Sequence, residues 1–270
     1  MVAEKQKKSL LVNIEKLTYS WATQVWPNSP SLKKFIVEEE LVGQEKLKVI
    51  GFGSSNGIDL EKFNRGVLKE NHLVAATMRI MPGDNDYIIL AVGRLVKDKG
   101  IEELVSAFLE SKISERSKLV LLGSFEQDLN PIDEEIVRKI KDHPRIVQIE
   151  WTDHVAHYLA LADVLVHPSH REGFPNVLLE AGAMQVPIIC SDIIGNTDLI
   201  KQQQTGLIFP VKDASVLKEA MEFAFVKREK MAEYAARLYQ EILANYDRKK
   251  IHQEILTHYQ RLIKAAETAE

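Results

Sequence analysis

The chain has 270 residues, of which 45% are hydrophobic and 27% charged, and its formal net charge at pH 7 is -4. This composition is typical of an ordinary folded protein, and the length suits one large or two small domains. The acidic balance gives no general basic field for nucleic acid, and the single cysteine, Cys190, excludes a disulfide framework within the chain.

The first sixty residues predict two helices and two short strands. Apolar side chains recur at helical spacing over 9–25, which predicts an amphipathic helix whose apolar stripe needs a partner. A short strand and a turn are predicted at 25–29, and another strand at 47–52. Between them, a second helix is predicted from Pro30 to about Leu41.

From residue 87 onward, apolar runs of strand length alternate with stretches of helical periodicity. A charged linker that contains a helix is predicted before them, at 61–86. The alternation predicts an α/β fold with a doubly wound parallel sheet, Rossmann-like in arrangement. Helices are also predicted at 212–226, at 227–245 and around the apolar stripe from 251 to 263. The predicted strands lie at 87–92, 118–123, 146–149, 163–167, 187–191 and 207–209.

The first candidate functional segment follows the predicted strand at 87–92. The apolar run breaks at Gly93 and is followed by Arg94 and Lys99, before a helix predicted over 101–108. In open α/β sheets, ligands bind outside the carboxyl ends of the strands. Arg can clamp phosphate oxygens in a bidentate fork, and Lys adds a compact charge. The alternative is that both are loop cations that serve solubility.

The second candidate segment follows the predicted strand at 163–167. It places Glu172 in a loop and Glu180 about one turn into a helix that is predicted to open near Pro175. Unpaired N–H groups and the helix dipole at such an opening favour an anion such as phosphate. Alternatively, Glu172 is a turn residue and Glu180 belongs to a solvated helix face. The amides concerned belong to Asn176, Val177 and Leu178.

Together, the Gly93–Gly100 loop and the E-x7-E pattern from Glu172 to Glu180 resemble the donor-binding half of a retaining GT-B glycosyltransferase. The family is the large one called glycosyl transferases group 1, with family 4-like motifs. Asp198 departs from the family pattern, which more often has Glu at that place. Other segments that resemble the family are Asn56–Asp59 with Phe63, Asp192–Asp198 and Thr205–Phe209.

The resemblance implies a role for each site residue. Arg94 and Lys99 hold the diphosphate of a nucleotide-sugar, and the helix-start amides hold it from the other side. Glu180 binds the ribose hydroxyls, and Glu172 faces the transferred sugar. Glu172, Arg94 and Lys99 are thus the expected catalytic residues. The expected donor-binding residues are Gly93, Arg94, Lys99, Glu172, Gly173, Phe174, Pro175, Asn176, Val177, Leu178 and Glu180.

The resemblance also implies a division into segments. Residues 1–60 are expected to be a remnant of the N-terminal acceptor domain, and 61–86 a linker. Residues 87–226 are expected to form the Rossmann-like donor-binding domain, and 227–270 the C-terminal crossover helices. The preceding strands and the acceptor site of the family's first domain have no counterpart in the sequence.

The expected function is transfer of a sugar, with retention, from a nucleotide-sugar to a glycan or lipid-linked acceptor in surface polysaccharide biosynthesis. The expected donor is a UDP-sugar. One alternative is a non-catalytic nucleotide-sugar-binding module or subunit that needs a partner to supply the acceptor domain. A weaker alternative is a GT-B relative such as a nucleotide-sugar epimerase. No nucleic acid partner is expected.

The expected location is cytoplasmic, because no long apolar run follows the lysines of the first residues. A place at the inner face of the membrane stays open, through the missing domain or a partner subunit. No cofactor and no metal are expected, since the nucleotide-sugar is a substrate. His154 and His157 lie three positions apart, but two imidazoles without a third ligand do not predict a zinc site.

Overall fold

The computed structural model describes residues 2–126, 128 and 130–268, and for residues 2–8 it describes the backbone alone. The chain divides into two compact units. The larger unit is Ile58–Asp247, and the smaller unit combines Met1–Gly57 with Arg248–Glu270. The division differs from the expected segment boundaries, because residues 227–247 belong to the unit that holds the sheet. Three terminal residues, Met1, Ala269 and Glu270, lie outside the described residues.

The larger unit contains one six-stranded parallel sheet with the order β3-β2-β1-β4-β5-β6. Its strands are buried on both faces, which is why the sequence shows them as continuous apolar runs. The predicted doubly wound α/β fold is therefore confirmed. The strands are β1 Tyr87–Val92, β2 Ser117–Leu122, β3 Ile146–Ile149, β4 Val164–His167, β5 Ile188–Ser191 and β6 Leu207–Phe209.

Eight helices of the larger unit accompany this sheet among the described residues. Helix α4 packs against α9, and α7 against α10. Leu104, Val105 and Phe108 of α4 are fully buried, and burial of each such side chain contributes about 1.5–3 kcal/mol. The helices are α3 Glu70–Ile80, α4 Ile101–Leu109, α5 Glu134–Asp142, α6 Val155–Leu161, α7 Asn176–Ala183, α8 Asn196–Leu199, α9 Ala214–Val226 and α10 Arg228–Asn245.

The smaller unit contains helices α1 Val2–Trp21, α2 Pro30–Glu38 and α11 Arg248–Glu267. Its core is formed by Ile36, Leu41 and Leu47. From the other end of the chain, Tyr259 of α11 meets the ring of Trp26 at 4.7 Å between centroids. The unit is therefore built from two segments that are distant in sequence.

Two details of the smaller unit differ from the sequence predictions. The two predicted strands at 25–29 and 47–52 are wrong, because the structure has only an isolated parallel bridge between Val25 and Leu47. No further strand of this unit extends that pairing within the described residues. The apolar stripe of α1 stays exposed, and Trp21 at its end is 79% exposed. None of the described helices is both long and apolar enough to cross a membrane.

Candidate functional site

The candidate site lies where the loops after β1 and β4 meet. The two strands are neighbours in the sheet, with Ile89 opposite Val164. The strand order reverses at this point, because β1 is followed in space by β2 on one side and by β4 on the other. Such a reversal opens a crevice at the carboxyl ends of the strands, where α/β sheets bind their ligands.

Asp98 joins the two loops. Its backbone carbonyl accepts hydrogen bonds from the His170 N–H at 2.8 Å and from the Ser169 hydroxyl at 3.2 Å. Its carboxylate pairs with the Arg171 guanidinium at 2.5 Å. The Asp98 carbonyl thereby fixes the distance between the β1 loop and the β4 loop, and the Arg171 pair adds little because that side chain is 83% exposed.

Two glycines shape the β1 loop in different ways. Gly100 has φ of 67°, and a Cβ at this position would collide with the carbonyl oxygen of Pro168 in the β4 loop. Gly93 has φ of 147°, but a Cβ there would meet nothing within 4 Å. Both conformations disfavour other residues. Gly100 therefore allows close packing of the loops, whereas Gly93 leaves its backbone open to a ligand.

Lys99, Glu172 and His167 form a charged cluster at the base of the crevice. The Lys99 ammonium donates a hydrogen bond to Glu172 Oε1, and His167 Nε2 lies 3.3 Å from the same oxygen. Burial alone would raise the pKa of Glu172, but His167 and Lys99 outweigh it and lower that pKa to about 2. Glu172 is consequently ionised at neutral pH and holds the Lys99 ammonium in place.

Arg94 is the more exposed of the two predicted phosphate ligands. Its guanidinium donates to Glu126 at 2.8 Å, and its side chain is 56% exposed. Exposed ion pairs contribute about 0–1 kcal/mol. An incoming anion could therefore displace Glu126 from Arg94 at little cost.

The start of α7 provides backbone donors beside these cations. Pro175 is the N-cap, and the N–H groups of Asn176 and Val177 begin the helix, so neither has an acceptor within it. The expectation for Leu178 needs correction, because its N–H donates to the Pro175 carbonyl at 3.2 Å. That bond leaves two of the three expected amides available to an anion.

The remaining predicted residues lie along the same loop and helix. Gly173 packs against Gly195. A Cβ added at Gly195 would lie only 2.6 Å from the Gly173 carbonyl oxygen. The ring of Phe174 lies 5.7 Å from that of Tyr246, between centroids. Glu180 is half-buried, about one turn into α7. The structure thus places the predicted residues on two facing loops and one helix start.

Three residues of the site were not found from the sequence. His167 was recognised only as the end of a strand before proline, although a buried histidine at the carboxyl end of a central strand is itself a signal. Asp98 and Glu126 gave no signal, since each acts through a partner distant in the chain. Arg94 and Glu126, for example, are 32 positions apart.

Residues 80–240, more than half of the chain, match the model of the protein family described as "Glycosyl transferases group 1". The chain belongs to this glycosyltransferase family. The resemblance inferred from Gly93–Gly100 and from Glu172 to Glu180 is thereby confirmed for the family.

Two curated relatives are each about twice as long as the part of them that this chain matches. The chain is 36% identical over 218 residues to the capsular polysaccharide biosynthesis glycosyltransferase CapM of Staphylococcus aureus, covering 80% of this chain and 56% of CapM. It is 30% identical over 188 residues to the UDP-Gal:alpha-D-GlcNAc-diphosphoundecaprenol alpha-1,3-galactosyltransferase of Escherichia coli, covering 67% of this chain and 46% of that enzyme. The chain therefore spans about half the length of these relatives.

Solved glycosyltransferase structures share the fold. Anabaena HepE in complex with UDP and glucose superimposes with a TM-score of 0.79 at 19% identity, over 94% of this chain and 66% of HepE. Sucrose-phosphate synthase from Thermosynechococcus elongatus gives a TM-score of 0.79 at 25% identity, over 94% of this chain and 62% of that protein. The glycosyltransferase fold expected from the sequence is confirmed by these similarities.

The contact between Gly100 and Pro168 gives a first prediction. Gly100→Ala and Gly93→Ala both place a side chain at positive φ, which costs about 1–3 kcal/mol. Only Gly100→Ala also drives a methyl group into the Pro168 carbonyl. We expect Gly100→Ala to lower the free energy of unfolding, measured in urea, clearly more than Gly93→Ala. Equal losses would show that the two loops do not pack as closely as described.

The lowered pKa of Glu172 gives a second prediction. Glu172 has a pKa of about 2 in the folded protein, against an ordinary value of 4.5. Its ionised form therefore stabilises the fold above about pH 4.5, and this contribution is lost as the pH falls towards 2. Glu172→Gln should lower the free energy of unfolding at pH 7, and its difference from wild type should shrink below pH 4.5.

Urea unfolding across this pH range measures the difference. Glu110→Gln is the matched control, because the Glu110 side chain is 69% exposed and only 3.7 Å from its partner Lys218. A Glu172→Gln difference that stays constant down to pH 3 would contradict the proposed stabilisation by Lys99 and His167.

Proposed function

We propose that this chain is the donor-binding part of a retaining glycosyltransferase. It would transfer a sugar from a UDP-sugar to a glycan or lipid-linked acceptor in surface polysaccharide biosynthesis. The observation that carries the proposal is the convergence of Arg94, Lys99 and the α7 start on the edge of β1 and β4. Cations on one side and free amides on the other suit a diphosphate.

The same arrangement suits the chemistry of sugar transfer. As a nucleoside diphosphate leaves, negative charge develops on its oxygens, so fixed donors beside those oxygens lower the barrier. Arg94 would exchange Glu126 for the diphosphate, while Lys99 would lie between the diphosphate and Glu172. Glu172 would face the transferred sugar, and Glu180 the ribose hydroxyls. The chemistry at this site needs no metal or other cofactor, since the cations and amides supply the stabilisation.

The proposed donor and acceptor draw on the names of the relatives. The similar enzyme of Escherichia coli is named for UDP-Gal and a diphosphoundecaprenol acceptor, and the Anabaena structure contains UDP. CapM is named for capsular polysaccharide biosynthesis. These names support a UDP-sugar and a glycan or lipid-linked acceptor for the present chain.

The proposed acceptor site belongs to a further domain or to a partner subunit. The enclosed space beside Gly93, Arg94, Lys99 and His167 is only about 10 Å³, so a nucleotide-sugar would lie on an open surface. A further domain or a partner subunit would close over it and exclude water. We assign residues 1–60 to the end of such an acceptor domain. Peripheral membrane association would also arise through that further domain or partner.

The open site also favours the second candidate, a non-catalytic nucleotide-sugar-binding subunit. Both candidates bind the donor, but they differ in turnover once an acceptor domain is supplied. Release of sugar from UDP-sugar after addition of an acceptor domain would favour the transferase. Binding without release under the same conditions would favour the binding subunit.

Calorimetric titration with UDP, GDP and ADP, without added metal, tests the donor site. We expect saturable binding of UDP, and Arg94→Ala and Lys99→Ala should each weaken it by about 1.5–3 kcal/mol, the value of a charge-assisted hydrogen bond. Lys97→Ala is the matched control, since Lys97 belongs to the same loop but pairs with Asp133 at 2.5 Å. If Arg94→Ala and Lys99→Ala bind UDP as tightly as wild type and the Lys97→Ala control do, the proposed phosphate-binding role of Arg94 and Lys99 is wrong.

A further inference from the structure

Three histidine side chains meet where helices α3 and α6 pack against each other. His72 lies in the first turn of α3, His154 directly precedes α6, and His157 lies in the first turn of α6. The ring of His72 is 4.2 Å from that of His154 and 5.3 Å from that of His157, between centroids. The two rings of the α6 segment are 5.5 Å apart.

The geometry of the cluster is close to that of a metal site. One ring nitrogen from each histidine can be chosen so that all three lie within 4.8 Å of one another. Zn–N bonds of about 2.0–2.1 Å in a tetrahedral site place the ligand nitrogens about 3.3–3.4 Å apart. Small side-chain rotations would close this difference, and the His154 side chain is exposed.

His157 provides an independent indication of a ligand. It is only 8% exposed, and among the described residues neither of its ring nitrogens has a hydrogen-bond partner. A histidine that merely packs in a core normally donates or accepts at least one hydrogen bond. A ligand at the centre of the cluster would satisfy this buried ring.

The chemistry of the cluster selects the kind of ligand. A neutral imidazole nitrogen has a lone pair to offer a metal ion. Imidazole nitrogens suit zinc and related transition metals, whereas magnesium and calcium prefer oxygen ligands. Among the described residues, the side chains that form this cluster are all histidines.

We propose that His72, His154 and His157 bind one Zn²⁺ ion, with water as the fourth ligand. The ion joins α3, which precedes the sheet, to α6, which crosses from β3 to β4. Arg65 already attaches the segment before α3, through hydrogen bonds to the carbonyls of Ala160 at 3.1 Å and Met184 at 2.9 Å. The metal adds a second attachment within the larger unit and stabilises its fold. It takes no part in the proposed sugar transfer.

The sequence showed only two of the three ligands in recognisable form. His154 and His157 share one helix start, and two imidazoles alone did not predict zinc. The third ligand, His72, comes from a helix far earlier in the chain. Packing of α3 on α6 supplies it.

The test is metal titration of the chain without an affinity tag, after treatment with EDTA. We expect one Zn²⁺ per chain, and visible absorption bands of tetrahedral Co²⁺ when cobalt is used. Saturating Zn²⁺ should raise the unfolding temperature, since a ligand of the folded state stabilises it. Absence of stoichiometric binding would overturn the proposal.

Variants separate this site from casual binding to surface histidines. His154→Gln changes an exposed side chain and should leave the metal-free fold intact. We expect it to weaken Zn²⁺ binding by more than the roughly 10–100-fold that loss of an outer-sphere partner costs. His72→Gln should do the same. His252→Gln, at an exposed histidine of α11, is the control and should change nothing. Equal Zn²⁺ affinity in His154→Gln and His252→Gln would overturn the proposal.

Discussion

Parallel pairing of β1 with β4 is the constraint on which the site depends. Ile89 lies opposite Val164 and Leu90 opposite Leu165, so the loops after the two strands leave the sheet at the same edge. Lys99 and Glu172 are 73 positions apart in sequence and meet there. The close approach at Gly100 then fixes the separation of the loops. The contact between Lys99 and Glu172 and the pair of Asp98 with Arg171 follow from this backbone geometry.

The two cations of the site are compensated in different environments. Arg94 pairs with Glu126 near solvent, where water screens the interaction and exchange of partners costs little. Lys99 is 23% exposed and Glu172 17%. Screening is weaker between them, so the ammonium is held in one position. We infer that Lys99 provides a fixed charge for a diphosphate, whereas Arg94 provides a mobile one.

The sheet was predictable from the sequence, and the smaller unit was only partly so. Strands buried on both faces must be apolar throughout, so all six predicted strands agree with the structure to within one residue. The bridge between Val25 and Leu47 has no such pattern, and its neighbours do not extend it. At the site, Gly93, Arg94, Lys99 and Glu172 were found because their spacing resembles a family. His72, Asp98, Glu126 and the Leu178 hydrogen bond escaped notice, because each depends on a contact that only the folded chain creates.

A crystal structure of this chain with UDP would test the central claim most directly. The account predicts the diphosphate between the Gly93 backbone and the start of α7, with Arg94 and Lys99 as ligands. It further predicts that Arg94 leaves Glu126, whereas Lys99 keeps its contact with Glu172. UDP bound elsewhere on the sheet domain, or at this edge without contact to either cation, would contradict the account.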